Sequence, residues 1–108
     1  MIELCPSSAW RPSLERAFDF AQAQVRSLVK RDPDFSPIYT SNGRWRHQGE
    51  AWTRWCDGFL PGMMWIFHDR TGDAEWRQLA ERYTTPLEPR KMDRDVHDLG
   101  FLFLSSYH

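Results

Sequence analysis

The sequence predicts an all-α chain built as stacked helical hairpins, on three observations. Apolar residues recur at three- and four-residue steps from Leu14 to Val29. Gly72 and Asp73, a C-cap residue running straight into an N-cap residue, sit between two further helical stretches and reverse the chain. Period-two alternation is missing apart from fragments around Ile38 and Tyr39. With 108 residues and a hydrophobic fraction of 41%, the chain has room for one modest domain and does not have the composition of a disordered one.

The first helix is read from Pro12 to about Arg31. Pro12 and Ser13 open it, and Leu14, Ala17, Phe18, Ala21, Val25, Leu28 and Val29 form one face. The basic pair Lys30-Arg31 followed by Asp32-Pro33 stops it. From Asp32 to Gln48 two prolines and the Asn42-Gly43 dipeptide predict a loop or at most a short hairpin. The Arg44-Trp45-Arg46 cluster inside it is read as holding a structural tryptophan in preference to a base-stacking patch, because the chain has no positive excess.

A second helix runs from Asp57, as N-cap, through Pro61 to His68 or Asp69, and is apolar on most faces, the mark of an element buried on several sides. The third places Trp76, Leu79, Ala80 and Tyr83 on one stripe and closes near Pro86. Pro86 to Val96 is read as polar loop. His97 to His108 reads as a dense apolar helical run with no cap and no polar face, so the expectation is a truncated chain, with further protein covering its apolar helices.

Charge and composition narrow the partners. Lys and Arg number 14 against 15 Asp and Glu, so no global field draws the chain to nucleic acid or to an anionic membrane. Arg outnumbers Lys twelve to two, a bias that fits bidentate carboxylate recognition or simple base composition. No stretch approaches the roughly 20 apolar residues of a membrane span. The first residues lack a basic and then apolar leader pattern, so the expected location is cytoplasmic. Cys5 and Cys56 are isolated thiols, taken as reduced. The four His form no ligand motif, so no metal and no cofactor is assigned. Aromatics at 15%, six of them Trp, exceed the needs of a small core and point to a lined cleft.

Three short motifs stand in order: Trp55-x-x-Gly58-Phe59-x-x-Gly62-x-x-Trp65, then Thr71-Gly72-Asp73, then His97-Asp98-Leu99-Gly100-Phe101. Each is weak alone, but the ordered set, from about Trp52 to Tyr107, resembles the unsaturated glucuronyl hydrolases, glycoside hydrolase family 88. The resemblance implies an (α/α)6 barrel, a ring of six helical hairpins around a deep pocket. Twelve helices of about 11 residues with connections of about six need roughly 200 residues, so residues 1–108 would be the N-terminal part of one catalytic domain, inactive by itself and completed by the rest of its own barrel.

The implied substrate is the unsaturated uronic-acid oligosaccharide that polysaccharide lyases leave, and the implied reaction is hydration of its C4–C5 double bond. By the same resemblance, Asp98 matches the first of two catalytic aspartates and Trp55 a tryptophan that packs on the unsaturated sugar. His97 either reaches substrate or ties down the helix start. Gly58, Gly62 and Gly100 are assigned to close helix packing. The sequence departs from the pattern at Arg54, where an acidic residue is common, and at Leu60, where Trp is common. Two other readings stand beside this one: an unsaturated rhamnogalacturonyl hydrolase acting on pectin fragments, and a small helical interaction domain without catalysis.

Overall fold

The computed structural model describes residues 7–48 and 51–107, which are mostly helical. They fall into two units, residues 1–33 and 34–108. Among the described residues no helix is long and apolar enough to cross a membrane.

The first unit is the helix α1, Ser7–Arg31. It begins earlier than the Pro12 start read from the sequence, and Pro12 lies inside it. A proline there forfeits one bond, to the carbonyl four residues back. Residues 8–17 are exposed, so water serves that carbonyl instead. Lys30 and Arg31 occupy the last turn as expected, and the Asp32 N–H closes it on the Leu28 carbonyl at 2.8 Å. Pro33 then forbids a further turn.

The second unit opens with a short antiparallel hairpin, β1 Tyr39–Ser41 and β2 Arg44–Arg46, in the register Tyr39 to Arg46 and Ser41 to Arg44. Asn42 and Gly43 turn it with φ of 52° and 70°, the positive pair that a two-residue hairpin turn matching the strand twist requires. Trp45, paired across the hairpin with Thr40, is 47% exposed. Asp34 ties the approach to the hairpin onto the helical part: its N–H donates to the Tyr83 hydroxyl at 2.8 Å, and its carboxylate takes both arms of Arg82.

Helical structure resumes with a 3₁₀ segment, Ala51–Gly58, which runs straight into α2, Phe59–Thr71. The cap position is therefore Gly58 and not Asp57, with no side-chain cap bond; a helix entered from a 3₁₀ turn is already partly supplied with backbone partners. Gly72 ends α2 at φ 70°, its N–H on the His68 carbonyl, and Asp73 accepts from the Glu75 N–H to start α3, Ala74–Thr84. The tight reversal is as the sequence indicates. The segment Thr85–Met92 is a second 3₁₀ helix and not the polar loop expected, with Pro86 in its first turn.

The last helix, α4, spans only Leu99–Leu104, much shorter than the run to His108 read from the sequence. Ser105 and Ser106 turn their hydroxyls back onto the carbonyls of Phe101 and Leu102, a local alternative to continuing the helical ladder.

The core is read along two faces. Leu60, Met64 and Phe67 of α2 meet Trp76, Ala80 and Tyr83 of α3, with the Phe67 and Trp76 rings 4.7 Å apart. Leu87, Val96 and Leu102 complete it, while Leu79 lies at its margin. Trp65 donates to the Thr84 hydroxyl and Tyr107 to the Thr84 carbonyl, so α2 and the end of the chain both close on one residue of α3. A second apolar stripe on α2, Phe59, Met63 and Ile66, stays exposed, as do Phe101 and Leu104 of α4.

The seat of α4 is glycine. A Cβ on Gly58 would lie 2.2 Å from the Leu102 carbonyl oxygen, and one on Gly62 would lie 2.6 Å from that of Ser105. Gly100 is different: a Cβ there would meet only a Leu104 methyl at 3.8 Å, so its packing role is not required.

Two glycine substitutions should therefore differ in sign. Gly58→Ala is expected to destabilise the protein by about 2 kcal/mol, because backbone cannot yield as a side chain can. Gly100→Ala is expected to be neutral or stabilising by about 0.5 kcal/mol, alanine being the better helix former. Thermal unfolding of the two variants checks both.

Candidate functional site

Trp55, the tryptophan singled out from the sequence, sits in the 3₁₀ segment before α2 and is half-buried. Its ring packs edge-on to Phe59 at 5.8 Å and tilted against Phe101 at 5.2 Å, with Phe59 and Phe101 6.1 Å apart. The three rings form an apolar wall that leaves Phe59 and Phe101 substantially exposed.

Asp98 stands at the head of α4, with its carbonyl accepting from the Phe101 N–H at 2.9 Å. Phe101 thus touches Trp55 through its ring and is tied to Asp98 through its backbone N–H. Asp98 is exposed and left-handed, at φ 57° and ψ 42°, a conformation that short polar side chains tolerate better than most. It makes no side-chain cap bond, unlike Asp73. Among the described residues the Asp98 carboxylate is engaged by no cation, which leaves it open to an incoming hydroxyl or a developing positive charge. His97 is exposed beside it, and no hydrogen bond among the described residues makes it the tie of the helix start.

A second group of polar residues, which the sequence reading missed as a group, lies among the same segments. The Asp57 residue is 8% exposed and its Oδ2 accepts from Arg90 Nη1 at 2.8 Å. Arg90 Nη2 donates to the Arg54 carbonyl at 3.1 Å. His47 Nδ1 lies 3.6 Å from Asp57 Oδ1 and 2.5 Å from the Ser36 carbonyl, so that nitrogen donates to Ser36 and Oδ1 is left buried without a hydrogen bond among the described residues. Burial pushes the Asp57 carboxyl above its ordinary value, with His47, Arg90 and Arg54 pulling the other way. The adjacent Cys56 is a free thiol pushed up by burial and by the Asp57 carboxylate; Cys5 lies outside the described residues.

The Pro86 and Pro89 spacing around Arg90 was the available hint of a 3₁₀ turn. Nothing local pairs an arginine there with an aspartate 33 residues earlier.

A cleft of about 320 Å³ opens beside this group, lined among others by Phe35, His47, Asp57, Tyr83 and Arg90. Another, of about 570 Å³, is lined by Trp65, His68, Thr84 and Tyr107. Neither includes Trp55, His97 or Asp98. Among the described residues no three His, Cys, Asp or Glu side chains are grouped to hold a metal ion.

The raised Asp57 carboxyl has a defined consequence for stability. The folded state binds that proton more tightly than the unfolded chain, so the contribution is fully present below the ordinary carboxylate range. It is lost as pH rises through the raised value. Relative to Asp57→Asn, the protein is expected to lose stability across that rise, as measured by melting temperature at a series of pH values; parallel curves would show that Asp57 titrates normally.

No family model matches the chain, and no solved structure matches it. Two curated relatives do. The unsaturated glucuronyl hydrolase of Formosa agariphila is 36% identical over 53 residues, which is 49% of this chain and 13% of that protein. The unsaturated glucuronyl hydrolase of a Bacillus species is 29% identical over 98 residues, 87% of this chain and 24% of that protein. The chain thus spans about a quarter or less of the length of the relatives it matches. Its similarity to unsaturated glucuronyl hydrolases, which the ordered motifs around Trp55 and Asp98 indicate, holds in direct comparison with two proteins of that name.

Proposed function

We propose that this chain is the N-terminal part of an (α/α)6-barrel glycoside hydrolase that removes a 4,5-unsaturated glucuronyl residue from the non-reducing end of an oligosaccharide. The observation that supports the reading is Phe101, whose ring packs on Trp55 and whose N–H bonds the Asp98 carbonyl, in a chain similar to two proteins named for that activity. The exposed stripe of Phe59, Met63 and Ile66 supports the barrel. It is a helix face that more of the same domain would cover, and the relatives are at least four times as long as the part matched here.

In this reading Trp55 offers its flat face to the C–H surface of the unsaturated ring, and His97 contributes a polar contact at its edge. Water adds across the enol ether: a proton goes to C4 and the water oxygen to C5. The resulting hemiketal opens and releases the neighbouring sugar. Asp98, in contact with the sugar, stabilises positive charge as C4 is protonated, while a second aspartate, elsewhere in the domain, moves the proton. Because water attacks C5 and not the anomeric carbon, no inverting or retaining geometry of paired carboxylates applies.

The test follows the ultraviolet absorbance of the C4–C5 double bond in the full-length protein given an unsaturated chondroitin disaccharide. Asp98→Asn is expected to lower kcat by about 10²–10⁴-fold with the fold intact, and Trp55→Ala to raise KM about tenfold. Wild-type turnover by Asp98→Asn would remove that residue from the site. Consumption of an unsaturated rhamnogalacturonan disaccharide in preference to the chondroitin one would move the activity to pectin fragments.

A further inference from the structure

Arg90 lies in the 3₁₀ segment Thr85–Met92, and the chain runs on from it through Asp93 to His97 and Asp98. Its side chain is only 19% exposed, and two of its nitrogens donate to separate acceptors. Nη1 donates to Asp57 at 2.8 Å, Nη2 donates to the Arg54 carbonyl at 3.1 Å, and Nε lies 3.8 Å from an Asp93 oxygen. The Arg54 carbonyl belongs to the peptide unit whose N–H is that of Trp55, and Asp57 lies two residues beyond. The two acceptors therefore bracket Trp55 along the chain, and the nearby Asp93 carboxylate lies on the stretch leading to Asp98.

We propose that Arg90 is a positioning residue for Trp55: one guanidinium grips the backbone on one side of that tryptophan and the carboxylate on the other, and so sets its ring against the segment that carries Asp98. The proposal rests on the reading of Trp55 as the substrate-stacking residue. Phe59 and Phe101 confine the Trp55 ring by contact alone, and ring contacts tolerate sliding. Two directed hydrogen bonds, one to the Arg54 carbonyl and one to the Asp57 carboxylate, hold the segment on either side of it. The planar fork of a guanidinium satisfies both acceptors at once, whereas an ammonium is a single point charge. A displacement of about 1 Å at such a contact is enough to weaken it severely.

The substitution that isolates this role is Arg90→Lys in the full-length protein, since lysine keeps a cation for the buried Asp57 and gives up the hold on the Arg54 carbonyl. On the unsaturated disaccharide, Arg90→Lys is expected to raise KM about fivefold with kcat within about twofold, and Arg90→Gln to raise KM further. In a Trp55→Ala background Arg90→Lys should add less than about twofold, because the group it positions is gone. An unchanged KM in Arg90→Lys, or an effect that simply multiplies that of Trp55→Ala, would overturn the proposal. So would a fall in kcat alone, the mark of lost folded protein. If Trp55→Ala itself leaves KM unchanged, the functional reading fails first, and the positioning role with it.

Discussion

The close seating of α4 on two glycines is the constraint on which this unit depends. With hydrogens at Gly58 and Gly62, the backbone of Leu102 and Ser105 approaches to distances that no side chain permits. That approach buries Leu102 completely, brings the Ser105 hydroxyl onto the Gly58 carbonyl, and lays Phe101 against Trp55. Asp98 leads directly into that helix, its carbonyl accepting from the Phe101 N–H, so its position follows from the seating of α4. A single steric fact therefore connects the core of the unit to its candidate chemistry.

Around that contact the polar groups divide into committed and uncommitted. Asp34 and Asp57 each hold an arginine, the first in solvent and the second largely out of it. The Asp57 pair contributes register more than stability, since removing two charges from water offsets much of their attraction. Its value is geometric, fastening the segment that bears Trp55 to the segment that leads to Asp98. Asp98 and His97, by contrast, are turned to solvent.

The exposed stripe of Phe59, Met63 and Ile66 shows why α2 has so little amphipathic character. One face, Leu60, Met64 and Phe67, is satisfied by α3, and the neighbouring face is equally apolar but uncovered among the described residues. A helix apolar on two sides is built to lie between two neighbours.

Much of this was legible in the chain because it is decided within a few residues. Helical periodicity, the Gly72–Asp73 reversal and the Asn42-Gly43 turn all express local backbone preferences, and each is where the sequence puts it. The ordered motifs also marked Trp55 and Asp98 before any geometry was known. Tertiary structure decided the rest. Pro12 was misread as a start because an exposed helix tolerates a missing bond near its end, and α4 was read too long because serine hydroxyls divert the ladder. Asp57 resembles an N-cap in its local context, yet a preceding 3₁₀ turn and an arginine 33 residues away give it a different partner. The sequence by itself determined the longer helices and the tight turns that local backbone preference sets, and its motifs marked Trp55 and Asp98 as candidates. Which groups meet, which are buried and which remain free was decided only by packing, because it joins residues whose separation no local preference can span.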